Sequence, residues 1–160
     1  MNKFIFSTLL IFIFCSASAQ TIPKWKLKDL QQAIKNADKP TIFNFWATIC
    51  KPCVEEIPYF QQLTKKYDSA GVQLVLVSLD LSDAYPKQIA SFASKHSFDA
   101  PIKYLDETNA DLFCPAVDTN WSGVIPASLF INNKTGYRKF FEEELSKEKL
   151  EKEIKAMIQK

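Results

Sequence analysis

The 160-residue sequence contains only three glycines and a single histidine. Neither G-x-G-x-x-G nor G-x-x-x-x-G-K-[ST] occurs, which excludes nucleotide binding through those glycine-rich phosphate loops. One histidine excludes any metal site that needs two or more histidine ligands. Charged residues nearly balance, with a net charge of +2, so electrostatics give no reason to expect nucleic-acid binding. With 47% hydrophobic residues, the composition is that of one folded domain and not of a disordered chain.

The N-terminus has the pattern of a secretory signal peptide. Lys3 provides a basic start, an almost wholly apolar run follows over 4–15, and small residues then lead to Ala19. This order of basic, apolar and small residues is typical of a segment that directs export and is then removed. We therefore expect a signal peptide over 1–19, cleaved after Ala19, and a single folded domain over 20–160.

Two alternatives for the N-terminal segment stay open. It could remain uncleaved as a membrane anchor, although its apolar run is short for a membrane span. It could also carry a lipid on Cys15, although Phe14 stands where a bacterial lipoprotein signal has a small residue.

Cleavage after residue 19 leaves 141 residues and three cysteines, Cys50, Cys53 and Cys114. An odd number of cysteines in a domain of this size indicates chemistry or metal binding and not a disulfide framework.

The rest of the chain alternates between predicted helices and strands. Helical spacing of apolar residues predicts helices over 29–37, from Pro52 to Gly71, from Ser82 or Asp83 through His96, and from Ser146 onward. Apolar runs predict strands over 41–47, 72–79, 102–105, 127–131 and 137–141. Crossovers through helices require parallel strands, whereas the final hairpin adds antiparallel ones. The predicted fold is therefore α/β, with a mixed central β-sheet flanked by helices on both faces.

A C-x-x-C motif, Cys50-Lys51-Pro52-Cys53, lies between a predicted buried strand and the start of a helix. Unpaired N–H groups and the helix dipole stabilise a thiolate at Cys50, and thiolates so placed have pKa values of about 3.5 to 7.5. Cys53, one turn inward, can then resolve a mixed disulfide formed by Cys50. A static disulfide and a zinc site are the alternatives, and zinc would need Cys114 and His96, which lack paired ligand spacing.

The residues around this motif resemble the thioredoxin superfamily. Trp46-Ala47-Thr48 precedes the motif, Glu56-Ile57-Pro58 follows it, and Ile125-Pro126 precedes a later strand. Together they resemble the exported thioredoxin-like proteins of TlpA/ResA type, which carry a C-x-P-C-x-x-E-x-P pattern and a cis-proline. The resemblance covers residues 22–160 and implies a thioredoxin fold. It also implies a Cys50–Cys53 disulfide in the oxidised protein.

The resemblance assigns a role to Glu56. The resemblance implies that this glutamate lies near the dithiol and moves its protons. Glu56 is three residues after Cys53, on the same helix face, and burial would raise its pKa so that it can act as a general base. Cytoplasmic thioredoxins carry a buried aspartate where this sequence has Asn44, so proton handling falls to Glu56 or to water. The alternative is a solvated first-turn carboxylate.

The resemblance also implies a substrate-binding surface. A cis bond before Pro126 would place the Ile125 backbone beside the sulfurs, where it can pair with an extended peptide. Trp46 is expected to pack beneath the disulfide, and Lys51-Pro52 to face the partner. Glu55 is expected to be solvated.

The family resemblance further implies a reductase of disulfides in partner proteins, as in cytochrome c maturation or related quality control. Such a protein is periplasmic or otherwise extracytoplasmic and draws electrons from a membrane donor. We expect a monomer that uses no cofactor, metal or nucleic acid. Alternatives are a disulfide oxidase or isomerase on the same scaffold, and a copper-binding assembly protein, although that class uses C-x-x-x-C and a distant histidine. A peroxidase is disfavoured, since P-x-x-x-T-x-x-C does not occur.

Two further residues are given structural roles. Cys114 lies between two predicted strands and is expected to be a buried, inert thiol. His96 lies on an apolar helix face and is expected to be a core residue.

Overall fold

The computed structural model describes residues 21–159, so the signal peptide predicted for residues 1–19 lies outside the described residues. Six strands and five α-helices are present in this part of the chain. The strands are β1 (Lys24–Trp25), β2 (Thr41–Trp46), β3 (Gln73–Ser78), β4 (Ile102–Leu105), β5 (Ala127–Asn132) and β6 (Tyr137–Phe141). The helices are α1 (Leu27–Lys35), α2 (Lys51–Lys66), α3 (Lys87–Lys95), α4 (Ala110–Val117) and α5 (Lys147–Ile158).

Among residues 21–159, none of the helices has both the length and the apolar composition needed to cross a membrane.

The strands form one mixed sheet in the order β1-β4-β3-β2-β5-β6. The strands from β1 to β2 in this order pair in parallel, whereas β5 pairs antiparallel with both β2 and β6. This arrangement confirms the predicted fold class. The parallel part is buried because crossover helices cover both of its faces.

Alternate residues of β2 point to opposite faces of the sheet. Phe43 and Phe45 belong to the apolar cluster built with α1 and α4. Ile42 and Trp46 belong to the larger cluster, which also includes residues of α2, α3 and α5. Asn44 lies between Ile42 and Trp46 on this second face and is fully buried, which is unusual for an amide side chain.

The third helix begins later than its predicted start at Ser82 or Asp83. Residues 82–86 form turns, the Tyr85–Pro86 peptide bond is cis, and α3 begins at Lys87 without a side-chain cap. A residue before proline avoids the helical conformation, so a helix could not run smoothly from Asp83 through Tyr85. The predicted cap at Ser82 or Asp83 is therefore wrong.

Two elements were not predicted from the sequence. The two-residue strand β1 exists through its parallel pairing with β4, a contact between distant parts of the chain. The short helix α4 is capped by Asn109, whose side chain accepts the Asp111 N–H, and it contains Pro115. Proline inside a segment normally argues against a helix. Burial of Phe113, Cys114 and Val117 stabilises α4 despite this.

Candidate active site

The ends of β2 and β3 and the start of β5 lie side by side at one end of the sheet. Trp46, at the end of β2, is paired with Ser78 at the end of the parallel strand β3. Because β5 is antiparallel to β2, its first residue, Ala127, pairs with Phe45. Pro126 therefore lies at the same edge as the loop that leads from β2 to Cys50. The fold thus brings together the C-x-x-C motif and the proline that the sequence analysis singled out.

Cys50 and Cys53 form a disulfide at the start of α2, with their Cα atoms 5.3 Å apart. Cys50 is the N-cap residue, and its sulfur accepts a hydrogen bond from the Cys53 N–H at 3.3 Å. Pro52 occupies the first turn, where a missing N–H leaves no hydrogen bond unmade. Cys50 is half-buried, whereas Cys53 is fully buried. Cys50 is therefore the more accessible of the two cysteines.

Glu56 is fully buried on the inner face of α2. Its Oε1 accepts a hydrogen bond from Asn44 Nδ2 at 2.8 Å, and its Oε2 accepts one from the Leu145 N–H at 2.8 Å. Burial raises the pKa of Glu56 to about 7, although these two hydrogen bonds act in the opposite direction. The nearby Glu144 raises this pKa further. The alternative of a solvated first-turn carboxylate is therefore wrong.

Asp80 anchors the loop that carries Cys50, and sequence reasoning missed it. Asp80 Oδ1 accepts hydrogen bonds from the Thr48 N–H at 3.0 Å and the Thr48 hydroxyl at 2.6 Å, while Oδ2 accepts one from the Ser78 hydroxyl. The available signal was its position just beyond β3, because the carboxyl ends of neighbouring parallel strands share an edge. Asp80 thereby fixes the position of the segment that leads into Cys50.

Trp46 is fully buried in the core cluster that contains Cys53, and Cys50 packs against the same cluster. The Ile125–Pro126 peptide bond is cis, and Ile125 is half-buried beside both core clusters. Just before it, the Val124 side chain is 60% exposed.

A second acidic residue that sequence reasoning missed is Glu142. Its carboxylate accepts hydrogen bonds from the N–H groups of Ser122 and Val124 and from the Ser122 hydroxyl. These contacts fix the loop that precedes Ile125–Pro126. Sequence gave no signal for this role, because Glu142 lies 18 residues beyond Val124.

Lys51 extends away from the protein and forms an exposed ion pair with Glu55 at 3.6 Å. An ion pair this exposed contributes little to stability. Glu55 is solvated, as predicted.

The prediction that His96 is a core residue is wrong. His96 is exposed at the C-terminal end of α3, where its ring stacks on Phe92 with centroids 4.2 Å apart. α3 ends at this point, so the apolar stripe of the helix does not continue through His96. Together with Ile49, Lys51 and Val54, His96 and Phe92 border a surface groove next to the disulfide.

Cys114 is buried in α4, in the core cluster on the other face of the sheet from Cys53. Burial raises the pKa of the Cys114 thiol to about 11, and the nearby Glu142 and Asp111 raise it further. A buried, protonated thiol is a poor nucleophile. Its predicted burial is confirmed.

Cys114→Ala is expected to leave disulfide reduction unchanged, because the thiol is protonated at neutral pH and separated from the disulfide by the sheet. The measurement is the rate of reduction of a protein disulfide by the variant and the wild type, with circular dichroism as the control for folding. A loss of about tenfold or more in a folded variant would contradict this prediction.

Within residues 21–159, no group of three or more His, Cys, Asp or Glu side chains is placed to hold a metal ion.

Comparison with known proteins identifies the family of this chain. The AhpC/TSA family model matches residues 16–136. The thiol-disulfide oxidoreductase ResA of Bacillus anthracis is 30% identical over 132 residues, which cover 82% of this chain and 68% of that protein. Among solved structures, a thioredoxin-related protein from Neisseria meningitidis serogroup B is similar with a TM-score of 0.66 and 28% identity, covering 79% of this chain and 90% of that one.

StoA from Bacillus subtilis is similar with a TM-score of 0.54 and 27% identity, covering 74% of this chain and 84% of that one. The chain belongs to the AhpC/TSA family and is a thioredoxin-like thiol–disulfide oxidoreductase.

Proposed function

We propose that this protein is exported and reduces disulfides in partner proteins, with Cys50 as the attacking thiol and Cys53 as the resolving thiol. The observation that carries the proposal is the Cys50–Cys53 disulfide at the start of α2, with a buried carboxyl, Glu56, one turn further along. A dithiol that must both attack and resolve needs one reachable sulfur and one protected sulfur. The difference in burial between Cys50 and Cys53 supports this division of roles.

The reaction begins with the reduced protein. The Cys50 thiolate attacks one sulfur of the partner disulfide, so a Cys50–partner bond forms and the other partner sulfur leaves as a thiolate that takes up a proton. Cys53 then loses its proton and attacks Cys50 Sγ, which releases the second partner thiol. Two electrons have passed to the partner, and the Cys50–Cys53 disulfide has formed. The N–H groups at the start of α2 favour the Cys50 thiolate in the first step.

Glu56 accepts the Cys53 proton in the second step. The Glu56 pKa of about 7 lets the carboxyl hold or release a proton near neutral pH, which suits a general base. Asn44 occupies the position of the aspartate found in cytoplasmic thioredoxins, and its amide cannot act as a general acid or base. The proton route therefore goes through Glu56.

The partner binds along the edge that carries the disulfide. The Ile125 backbone pairs with an extended segment of the partner, and Pro126 holds that backbone beside the sulfurs. Lys51 and Pro52 face the partner from α2, while Trp46 supports the disulfide from within the core. The exposed side chains of Ile49 and Val124 supply apolar contacts on either side.

The place of action is outside the cytoplasm. The basic, apolar and small residues of 1–19 support export with cleavage after Ala19, and an uncleaved anchor would leave the domain over 20–160 on the same side of the membrane. Each turnover leaves the protein oxidised, so it needs a dithiol donor, and a membrane protein that carries electrons outward meets this need. The proposed protein acts as a monomer on thiol- or disulfide-containing proteins, without a bound cofactor.

The reduction potential of the Cys50–Cys53 couple tests the direction of the reaction. The measurement is equilibration of the purified protein with glutathione or dithiothreitol buffers, followed by quantification of free thiols. A value near or below about −250 mV is expected for a reductase. A value near about −120 mV would instead assign the protein as an oxidase.

A further inference from the structure

The buried side-chain amide of Asn44 uses only one of its two ends. Its Nδ2 donates to Glu56 Oε1 at 2.8 Å and to Ser128 Oγ at 3.0 Å. Its Oδ1 has no hydrogen-bond partner within residues 21–159. Asn44 is fully buried, so this orphaned acceptor carries a free-energy cost that most buried polar groups avoid.

The hydrogen bonds around Glu56 suit its ionised form. Both carboxylate oxygens face donors, the Asn44 Nδ2 and the Leu145 N–H. If the Glu56 proton lies on the side of Oε1 that faces Asn44 Nδ2, the O–H meets the amide hydrogens and that hydrogen bond is lost. The Leu145 N–H belongs to the backbone and cannot reverse. The Asn44 amide can reverse by rotating half a turn about its last side-chain bond.

We propose that the Asn44 amide reverses when Glu56 takes up a proton, which makes Asn44 a positioning residue for the proton transfer. In the reversed state Oδ1 accepts the Glu56 O–H and the Ser128 O–H, while Nδ2 moves to the place that Oδ1 held. Each state makes two hydrogen bonds through one end of the amide and leaves the other end unpartnered. The reversal therefore exchanges an orphaned acceptor for an orphaned donor group, and the new hydrogen bond from the Glu56 O–H offsets part of the cost of that donor group.

This inference rests on the proposed function, in which Glu56 must accept a proton and later release it. A side chain that only donates would favour the carboxylate, and one that only accepts would favour the acid. An amide side chain carries both a donor and an acceptor, so it can stabilise Glu56 as the carboxylate and as the acid. An ionised aspartate, the residue that cytoplasmic thioredoxins carry in place of Asn44, could not donate a hydrogen bond.

The reversal also changes a hydrogen bond to β5, the strand that follows the proposed peptide-binding residues Ile125 and Pro126. Asn44 and Ser128 are directly opposite in the β2–β5 pair, and Ser128 is two residues beyond Pro126. In the present state the Ser128 hydroxyl accepts from Asn44, and in the reversed state it donates to it. The protonation state of Glu56 thus determines whether Asn44 or Ser128 is the donor in the hydrogen bond between β2 and β5.

The groups that face Glu56 come from four parts of the fold. β2 contributes the neutral Asn44, and β5 contributes Ser128 to the same network. The segment before α5 contributes the Leu145 N–H and the negative charge of Glu144. α2 itself carries Cys53 one turn away, which is bonded to Cys50 and does not titrate in the oxidised protein.

Neutron diffraction on the oxidised protein at pH 5 and pH 9 tests the reversal, because it distinguishes the oxygen and nitrogen of an amide and locates the hydrogen atoms. At pH 9 we expect the Asn44 nitrogen to face an ionised Glu56. At pH 5 we expect a proton on Glu56 Oε1 and the Asn44 oxygen facing it. An amide with the same orientation at both pH values would overturn the proposal, whether Glu56 is protonated or not.

Glu56→Gln provides a matched control that imitates the protonated acid. Its carbonyl oxygen can accept the Leu145 N–H, and its amide can donate to Asn44 Oδ1. The reversed Asn44 orientation is therefore expected at pH 9 as well as at pH 5. An unreversed amide in this variant at both pH values would contradict the proposal.

Carbon-13 NMR of the Glu56 carboxyl gives a second readout that is independent of activity. Asn44→Leu removes the partner of Glu56 in both protonation states, and the proton affinity of Glu56 should rise about fivefold, because the hydrogen bond to the carboxylate is stronger than the neutral one that the reversed amide accepts from the acid. Ser128→Ala leaves that partner in place and should change the affinity by much less. Equal shifts in the two variants would overturn the role of Asn44. Because these measurements need no partner, a failure of the proposed reductase activity would not affect them.

Discussion

Cys53→Ser is expected to leave the partner covalently attached to Cys50, because the variant can form the mixed disulfide but cannot resolve it. Cys50 is reachable and caps the start of α2, where N–H groups favour its thiolate. Cys53 is fully buried and cannot be attacked by a bulky partner. The measurement is non-reducing gel electrophoresis after a single exposure of the reduced variant to a disulfide-bonded protein. Trapping should approach one partner per protein, and turnover should fall to the background rate.

The matched control for this experiment is Cys50→Ser, which should trap no partner. Cys114→Ser serves as a second control, since it removes a buried thiol outside the pair and should behave as the wild type. Equal trapping by the Cys50 and Cys53 variants would reject the assignment of the two roles.

Glu56→Gln is expected to slow the resolution step more than the attack by Cys50. Glu56 accepts the Cys53 proton only when it is ionised, so the resolution rate of the wild type should rise through pH 7, where this carboxyl titrates. The glutamine variant should lack this rise. Its upper apparent thiol pKa should also fall, because a carboxylate near Cys53 disfavours a second negative charge. Since the two thiols and Glu56 titrate as a coupled system, the values belong to the group as a whole.

The measurements are thiolate absorbance against pH and single-turnover rates for both steps. An unchanged upper apparent pKa together with an unchanged resolution rate would show that Glu56 has no part in proton transfer. Attack by Cys50 provides the internal control, because it should change little.

The stability of the oxidised protein checks the burial of Glu56 separately from its role as a base. The folded-state pKa of about 7 lies above the ordinary value of 4.5, so the folded state binds the proton more tightly than the unfolded state. The resulting stability is fully present below pH 4.5 and is lost as the pH rises to 7, by about 3 kcal/mol. Glu56→Gln removes this loss. Denaturant unfolding of both proteins at pH 4.5 and pH 8 measures the difference.

The strands β2 and β5 and the redox helix α2 were predictable because their signals are local. Continuous apolar runs marked β2 and β5, and the C-x-x-C motif with Pro52 marked the start of α2. α4 was missed because Pro115 argues against a helix, while the burial that stabilises it comes from distant residues.

The amino-acid sequence by itself determined the fold class and the redox pair. It also predicts which sulfur attacks, because a helix start imposes its N–H groups and dipole on whichever residue caps it. Tertiary structure decided the chemistry of Glu56. Its burial and its hydrogen bonds depend on Leu145, 89 residues away, and Asn44 in turn contacts Ser128, 84 residues away. Asp80 and Glu142 likewise act on loops that are remote in the sequence. A pKa depends on which groups surround the carboxyl in space, and that arrangement exists only once the sheet and helices have packed together.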